Sequence, residues 1–262
     1  MSYTFGDTDE ASARLRKLAE VYEPETRALL QAARTLYGSR AVSLAVDLGS
    51  GPGWSTALLH SVIRPERTIG LEASARYVAE ARANQWHLEF FEHNVLQHPF
   101  PVGGADFLFC RFLLTHLSSP AAALMAWSAM AAPGAFLVIH ETEKLETSDP
   151  VLSRYYEMVA EMQRHYGQEL NVGAILDGCF EASNWNAVHA KSIRLEKPAR
   201  VMAGLHLPNL RTWGKNEFAA RAFDPGEVAS LESALGRIAS GLQRAASVRN
   251  TARQIVARHR GD

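Results

Sequence analysis

The sequence has little cysteine, little net charge and no long apolar run, and each absence excludes a class of protein. Its two cysteines, Cys110 and Cys179, are too few for a disulfide framework, and their apolar neighbours predict buried free thiols. No stretch approaches the roughly 18 apolar residues of a membrane-spanning helix, and the first residues lack the basic start and apolar core of a signal peptide. The formal net charge of -1 provides no overall attraction to nucleic acid or to a membrane. We therefore expect a cytoplasmic protein with neither nucleic acid nor a membrane as its partner, and its oligomeric state, monomer or homodimer, stays open.

The histidines and arginines do not change this expectation. His93 and His98 share one predicted loop without a third nearby ligand, and His87 belongs to a different face, so no metal site is predicted. The last 26 residues are rich in arginine but lack interleaved aromatic residues, which favours a solvated surface over a nucleic-acid interface.

Strand-like and helix-like stretches alternate from the first predicted strand to about residue 148, after two predicted N-terminal helices. At 262 residues and 47% hydrophobic composition, the chain can bury a large core. The alternation predicts an α/β fold, a doubly wound parallel sheet covered by helices on both faces. Pro24 is predicted to end a first helix and to begin a second. A fourth strand is predicted from Ala105 to Arg111, a fifth from Ala135 to Glu141 and a sixth from Phe180 to Leu195.

The glycine-rich segment after the first predicted strand is the strongest local motif. Residues 44–48 form a nearly continuous apolar run, which is typical of a strand buried on both faces. Gly49, Gly51 and Gly53 then allow a sharp turn and a close approach of the backbone to a ligand. The following residues, 54–63, are predicted to form a helix whose N-terminus points at that ligand.

Two polar residues follow at the ends of the next predicted strands. Glu72 ends the second strand, at roughly the twenty-residue interval where an acidic side chain meets a ribose. Asn94 follows the third strand, and its amide could pair with an adenine edge. Both residues are therefore expected at the same edge of the sheet as the glycine turn.

Together these residues resemble the ordered motifs of class I S-adenosylmethionine-dependent methyltransferases. The motifs are Asp47–Gly53, Glu72, Asn94 and Ala132–Ile139, and they cover roughly residues 40–141. Within that superfamily the chain is most similar to the group that contains ubiquinone and menaquinone biosynthesis enzymes and many bacterial small-molecule methyltransferases. Asn94 differs from the acidic residue that is more usual at its position. The Gly-x-Gly-x-Gly spacing also differs from the Gly-x-Gly-x-x-Gly of nicotinamide enzymes.

The resemblance implies a complete architecture. The fold would be a Rossmann-like, seven-stranded, mostly parallel sheet with an antiparallel last strand, N-terminal helices and a helical insertion before that strand. The chain would be one methyltransferase domain, 1–262, made of four parts: an N-terminal helical cap (1–38), a Rossmann-like core (39–197), a helical insertion or lid (198–246), and the last strand with the tail (247–262).

The resemblance also implies which residues bind S-adenosylmethionine as cofactor. Asp47 and the glycines would position the methionine moiety, Glu72 the ribose, and Asn94 with Val95 the adenine. The full set of expected cofactor-binding residues is Asp47, Gly49, Ser50, Gly51, Gly53, Glu72, Ala73, Asn94, Val95 and Arg111. Tyr22 and Arg27 are further candidates for contact with the cofactor's carboxylate.

Methyl transfer from a sulfonium is an in-line displacement, so the enzyme's main task is to align the acceptor and exclude water. A general base helps some acceptors. His140, after the fifth strand, is our first candidate and His116 our second, while His165 is a lesser one. Aromatic and methionine residues in 155–166, with Trp185 and Trp213, would line a pocket for an apolar or aromatic acceptor. Oxygen, nitrogen and carbon acceptors all stay open.

Three alternatives compete with this hypothesis. The first is a protein that binds S-adenosylmethionine without catalysis and acts as a scaffold. The second is a nicotinamide-dependent oxidoreductase, which the glycine spacing disfavours. The third is an RNA methyltransferase, which the near-neutral charge and the absence of an added RNA-binding module disfavour.

Overall fold

The computed structural model describes residues 6–181 and 183–261, and a seven-stranded sheet is its central feature. Within these residues the strands are β1 Leu44–Leu48, β2 Arg67–Glu72, β3 Glu89–Glu92, β4 Ala105–Arg111, β5 Ala131–Glu146, β6 Trp185–Lys197 and β7 Val248–His259. The helices are α1 Asp9–Tyr37, α2 Trp54–Ile63, α3 Ala75–Asn84, α4 Pro120–Ser128, α5 Pro150–His165, α6 Leu176–Glu181, α7 Ala199–Trp213, α8 Glu217–Ala222 and α9 Pro225–Ser240. Short 3-10 turns lie at Leu114–His116 and Val172–Ala174.

The strand order is β3-β2-β1-β4-β5-β7-β6, and β7 is antiparallel to both of its neighbours. β1 pairs in parallel with β2 on one side and with β4 on the other. The sheet is therefore Rossmann-like and mostly parallel with an antiparallel last strand, as the motifs predicted. From β1 the strands are added toward one edge of the sheet as far as β3, and β4 then begins the other half on the opposite side of β1. At this reversal of strand order a crevice opens at the carboxyl ends of β1 and β4.

Alternating side chains of the central strands build two apolar layers. Phe107 and Phe109 of β4 pack with α1 and α2 on one face of the sheet. Leu108 and Cys110 point to the other face and pack with α4 and α6. All five residues of β1 are buried, as expected for a strand covered on both faces. None of the described helices combines the length and the apolar character that crossing a bilayer requires.

The N-terminal helix differs from our prediction. Pro24 lies inside α1, which continues without a break from Asp9 to Tyr37. A proline removes one backbone N–H donor and crowds the carbonyl four residues earlier, at Glu20. Both Pro24 and Glu20 are exposed, so solvent can satisfy the released carbonyl and the helix tolerates the proline.

Two strand boundaries and one cysteine also differ from prediction. β5 is longer than expected because its pairing with β7 continues to the pair Glu146 and Arg249. β6 begins at Trp185 rather than at Phe180, because Phe180 lies in α6 and packs into the core. Cys110 is buried as predicted, whereas Cys179 is only partly buried.

Three helices, α7 to α9, occupy the segment between β6 and β7. They share a separate apolar cluster with α5, which includes Tyr155, Met158, Met202 and Trp213. This cluster holds the inserted helices beside the carboxyl edge of the sheet. Trp213 is fully buried within it, and Trp185 is fully buried in the main core.

Candidate active site

A cavity of about 580 Å³ opens at the carboxyl ends of β1 to β4. Its volume lies within the range of roughly 300–1,000 Å³ that is usual for small-molecule sites. One side, the loop side, consists of residues at or just after the ends of the strands: Gly49 to Pro52, Trp54, Ser55, Glu72, Ala73, Asn94 and Arg111. The other side, the helix side, consists of side chains from α1, α5 and α7. A ligand in the cavity therefore contacts both the sheet edge and the inserted helices.

The glycine turn is held tightly against the neighbouring strand. The backbone N–H groups of Gly49 and Ser50 both donate to the Leu71 carbonyl, at 2.8 and 3.0 Å. Gly49 has a φ of +68°, and a Cβ there would lie 2.7 Å from Leu113 Cδ1. Only glycine satisfies both constraints. The turn leads into α2, whose N-cap Gly53 supplies no capping side chain.

Glu72 joins the turns after β1 and β2. Its Oε2 accepts from the Gly51 N–H at 2.9 Å, and its Oε1 accepts from the Ser74 N–H at 2.8 Å. Burial raises the pKa of this carboxyl, and the backbone donors act in the opposite direction. Each carboxylate oxygen keeps a lone pair beyond these bonds, so the side chain can still accept from two vicinal hydroxyls.

Two predicted cofactor-binding residues, Asp47 and Gly53, are not among the cavity-lining residues. Asp47 is 1% exposed, and its Oδ2 accepts from the hydroxyls of Ser55 and Thr56, each at 2.7 Å. Burial raises its pKa to about 6. Asp47 therefore ties β1 to the first turn of α2 beneath the glycine turn, and its direct contact with a cofactor stays a prediction.

The predicted adenine-binding residues do line the cavity. Asn94 follows β3, and its Oδ1 accepts from the Leu96 N–H at 3.0 Å, which fixes the turn. The Val95 carbonyl accepts from the Trp127 indole N–H at 3.0 Å. Ala73 lines the same side of the cavity. These contacts hold the backbone in place and leave the amide nitrogen of Asn94 for a ligand.

Arg111, at the end of β4, also lines the cavity. Its Nη1 donates to Thr26 Oγ1 at 3.3 Å, and burial lowers its pKa. Tyr22 of α1 lies nearby, and its hydroxyl accepts from Asn250 Nδ2 at 2.8 Å. Arg27 is instead exposed toward solvent, pairs with Glu23 and does not line the cavity.

His140, our first candidate for a general base, does not line the cavity. It is fully buried, and its Nδ1 lies 3.0 Å from Thr26 Oγ1. The Thr26 hydroxyl donates to the Tyr22 carbonyl, so Nδ1 is the donor toward Thr26. Burial, aided by Arg111, lowers the pKa of His140 to about 3. Because β5 continues beyond Glu141, His140 lies in mid-strand facing α1, and its role as a general base stays a prediction.

Glu141, the next residue along β5, supports the floor of the site. Its Oε1 accepts from the N–H groups of Leu113 and Leu114 at 2.7 and 2.8 Å, and Cys110 Sγ lies 3.6 Å away. Burial raises its pKa to about 7. Because Leu113 packs against Gly49, this carboxyl fixes the turn that supports the glycine loop.

His116, our second candidate, does line the cavity. It ends the 3-10 turn after β4, and its carbonyl accepts from Gln168 Nε2 at 2.9 Å. Burial, followed by the nearby charge of Arg14, lowers the pKa of the imidazole to about 3. His116 is therefore a neutral ring at physiological pH. His165 does not line the cavity and stacks on Phe218.

The helix side contains residues that the sequence pattern did not indicate. The Tyr156 hydroxyl and His206 Nε2 lie 2.8 Å apart, and the Tyr155 ring stacks on His206 with centroids 4.4 Å apart. Burial lowers the pKa of His206 to about 3 and raises that of Tyr156. Tyr155 and Tyr156 belong to the predicted aromatic stretch, but His206 is 50 residues away on α7 and has no spacing signal. Of the predicted pocket residues, neither Trp185 nor Trp213 lines the cavity.

Within the described part of the chain, no group of three or more histidine, cysteine, aspartate or glutamate side chains could hold a metal ion. The cavity itself presents hydrogen-bonding loops, apolar and aromatic walls, and two arginines. Such a site suits an organic ligand with hydroxyl and amine groups at one side and an apolar group at the other.

Comparisons with solved structures give the fold class. The geranyl diphosphate C-methyltransferase of Streptomyces coelicolor A3(2), crystallised with S-adenosyl-L-homocysteine, is 15% identical over 98% of this chain and 86% of its own, with a TM-score of 0.54. The YcgJ protein of Bacillus subtilis is 15% identical over 90% of this chain and 99% of its own, with a TM-score of 0.55. Phosphoethanolamine N-methyltransferase 2 of Haemonchus contortus is 14% identical over 88% of this chain and 52% of its own, with a TM-score of 0.51. At these identities the likeness shows the fold.

The class of enzyme follows from a sequence family. Residues 46–139 match the family described as a methyltransferase domain, and this range contains the glycine turn, Glu72, Asn94 and Arg111. Comparison with curated protein sequences found no match. Within residues 46–139 the chain thus carries a methyltransferase domain with S-adenosylmethionine as its cofactor, as the ordered motifs predicted.

Proposed function

We propose that this enzyme transfers a methyl group from S-adenosylmethionine to a small acceptor with an apolar or aromatic body. The observation that carries the proposal is the single cavity that joins the glycine turn to the apolar helix side. A cofactor held on the loop side would share one cavity with an acceptor held on the helix side. Bound S-adenosylmethionine supplies an electrophilic methyl group with a good leaving group.

The residues of the loop side fit an adenosyl cofactor. Glu72 would accept from the ribose hydroxyls, and the backbone near Gly49 and Gly51 comes close enough for the methionine part. Asn94 and Val95 would contact the adenine. Arg111 is the candidate for the methionine carboxylate, since its guanidinium is partly buried beside Thr26 at the end of β4.

The helix side supports an acceptor with an apolar body. Its walls combine leucines of α1 with Tyr155, Tyr156 and Val159 of α5 and Met202 of α7. Burying apolar surface against such walls stabilises the complex by about 25 cal/mol for each Å² removed from water. The same burial excludes water from the transfer.

Alignment, rather than proton removal, is the contribution that we assign to this chain. The imidazoles of His116 and His206 face the cavity with pKa values lowered to about 3, so both are poor proton acceptors at neutral pH. Holding the two reactants in line is worth roughly 7–11 kcal/mol in well-oriented systems. The proposed acceptor therefore arrives as a competent nucleophile.

Calorimetry with S-adenosylmethionine and S-adenosylhomocysteine tests the cofactor site. Glu72→Ala and Glu72→Gln should weaken binding by about tenfold to a hundredfold, because each removes charge-assisted hydrogen bonds to the ribose. Glu92→Ala is the matched control, since Glu92 pairs with Glu72 across the sheet but is exposed and does not line the cavity. Unchanged binding in both Glu72 variants would contradict the assignment.

Incubation with fractionated metabolite extract tests the transfer. We expect S-adenosylhomocysteine to form together with a product one methylene heavier, detected by mass spectrometry. Tight cofactor binding with no turnover on any fraction would refute catalysis and favour the non-catalytic scaffold. A folded protein that binds neither form of the cofactor would refute the whole proposal.

A further inference from the structure

Two buried amide side chains on the helix side of the cavity have oxygens that accept no hydrogen bond. Gln163 of α5 is 1% exposed, Asn209 of α7 is 8% exposed, and both residues line the cavity. Among the described residues, neither Gln163 Oε1 nor Asn209 Oδ1 has a hydrogen-bond partner. Leaving a buried polar group unpaired costs about 1–3 kcal/mol. The two oxygens are therefore suited to a ligand that supplies hydrogen-bond donors.

The amide nitrogen of Gln163 fixes the orientation of this side chain. Gln163 Nε2 donates to the Thr115 carbonyl and to Thr115 Oγ1, each at 3.2 Å. The Thr115 hydroxyl donates to the Glu169 carbonyl at 2.8 Å, so both Thr115 oxygens are acceptors toward Gln163. Because a backbone carbonyl can only accept, exchanging the amide nitrogen and oxygen would set two acceptors against each other. Gln163 Oε1 therefore keeps its full capacity to accept from a ligand.

A polar contact between α5 and α7 places the two amides on one wall of the cavity. The Tyr156 hydroxyl and His206 Nε2 lie 2.8 Å apart. Gln163 follows Tyr156 by seven residues, which puts both on one face of α5. Asn209 follows His206 by three residues, which puts both on one face of α7. The two faces that meet at this contact therefore also carry the two unpaired oxygens.

The Tyr156–His206 pair matches a hydroxyl group in its hydrogen-bonding capacity. Burial lowers the pKa of His206 to about 3, so its ring is neutral and has a single N–H. One proton lies between the two residues, and the pair keeps a further donor and a further acceptor whichever tautomer is present. A hydroxyl both donates and accepts, whereas an ammonium only donates.

An ammonium group would also lack a counter-charge on the helix side. Glu72 is the one acidic residue among the described cavity-lining residues, and its oxygens accept from Gly51 and Ser74 on the loop side. Burying a charged amine is costly unless an anion pairs with it. A neutral ligand is therefore favoured.

Asn250 of β7 has a third oxygen of this kind, at a different place. Its Nδ2 donates to the Tyr22 hydroxyl, and the Tyr22 ring packs on Phe112 with centroids 4.9 Å apart. Phe112 follows Arg111, our candidate for the cofactor's carboxylate. We therefore assign Asn250 no contact with the acceptor.

We propose that the methyl acceptor is a neutral molecule with an apolar body and one or more hydroxyl groups, which donate to Gln163 Oε1 and Asn209 Oδ1. A molecule that lacks these donors leaves buried oxygens unpaired, so the same two amides make the site reject a purely apolar analogue. Gln163 and Asn209 thus determine specificity. This inference rests on the proposed function, because it names the class of acceptor for the same site.

Calorimetry on the full chain saturated with S-adenosylhomocysteine tests the proposal without turnover. The probes are catechol, resorcinol and cyclohexanol, each paired with the analogue in which fluorine replaces every hydroxyl group. Fluorine is close to a hydroxyl in size but cannot donate a hydrogen bond. We expect at least one hydroxyl probe to bind about tenfold to a hundredfold more tightly than its fluorinated analogue, and more tightly than benzylammonium.

Two substitutions remove the unpaired oxygens. Asn209→Leu should abolish most of the preference for hydroxyl probes and leave the melting temperature unchanged or raised, because the Asn209 side chain makes no hydrogen bond to the described residues. Gln163→Met should reduce the preference as well, and it also removes the donor to Thr115. Gln31→Met is the matched control, since Gln31 is exposed on α1 and does not line the cavity.

Each contrary outcome has a distinct meaning. Fluorinated analogues that bind as tightly as the hydroxyl probes, or no binding of any hydroxyl probe, would overturn the inference, and this wild-type comparison holds even if a variant does not fold. Tighter binding of benzylammonium would overturn the choice of a neutral acceptor. An unchanged preference in both Asn209→Leu and Gln163→Met would refute the assignment of the two oxygens. Failure of the wild-type protein to bind S-adenosylhomocysteine would refute the proposed function on which the inference rests.

Discussion

Replacing Glu141 by glutamine should change how the stability of the protein depends on pH. Burial raises the pKa of this carboxyl from 4.5 to about 7 in the folded protein. The folded state therefore binds the proton more tightly than the unfolded state. The stabilisation from this proton is complete below the unfolded pKa and is lost as pH rises through the folded one. Glu141→Gln has no ionisable group at this position and should lack that loss.

The magnitude follows from the two pKa values. One pKa unit corresponds to about 1.4 kcal/mol, so the shift from 4.5 to about 7 corresponds to about 3 kcal/mol in total. About 2–3 kcal/mol of this lies between pH 5 and pH 8, because the unfolded carboxyl is already largely ionised at pH 5. Glutamine can still accept from the Leu113 and Leu114 N–H groups through its amide oxygen, so the turn keeps its contacts.

Urea denaturation at pH 5, 6, 7 and 8 measures the effect. The free energy of unfolding of Glu141→Gln, relative to that of wild type, should increase by about 2–3 kcal/mol from pH 5 to pH 8, so the variant gains stability relative to wild type as the pH rises. Taking the difference between the two proteins removes every other titrating group. Glu161→Gln, at an exposed position of α5, is the control for the substitution itself and should show no such trend. Parallel pH profiles for wild type and Glu141→Gln would refute the reasoning.

Two further substitutions test packing around the site. Gly70→Ala should destabilise the protein by about 1–3 kcal/mol, because a Cβ there would lie 2.5 Å from Phe90 Cδ1. A free energy of unfolding from thermal denaturation that lies within about 0.5 kcal/mol of the wild-type value, the usual range of neutral substitutions, would contradict this. Trp127→Phe should cost about 1–3 kcal/mol, since it removes the indole donor to the Val95 carbonyl and leaves a small void in the core. Trp86→Phe is its control, because Trp86 is 85% exposed and should tolerate the change.

The sheet could be predicted because its signals are local. A strand buried on both faces is a continuous apolar run, and glycine or a capping residue marks its end. The bounds of β4 and α2 therefore agree with prediction to the residue. Ser74 caps α3, with its hydroxyl accepting from the Tyr77 N–H. The glycine turn, Glu72 and Asn94 come together because parallel strands end at one edge.

The helix side could not be predicted because tertiary packing brings it together. Arg14 and His206 are 192 residues apart on α1 and α7, and no spacing rule links them. The uninterrupted α1 depends on whether solvent reaches the carbonyl before Pro24, which sequence alone does not specify. His140 lies in mid-strand rather than at the predicted strand end, because the pairing of β5 with β7 that extends the strand is a long-range contact.

The inserted helices leave and rejoin the sheet at neighbouring points. Lys197, the last residue of β6, pairs with Val248, the first residue of β7. The 50 residues between them therefore begin and end at the same position of the β6–β7 strand pair. A segment attached in this way can be exchanged for a different one without moving the strands that carry the glycine turn and Glu72. Chimeras that transplant this segment between relatives should therefore alter acceptor choice while retaining affinity for the methyl donor, which offers a practical route to redesigning selectivity.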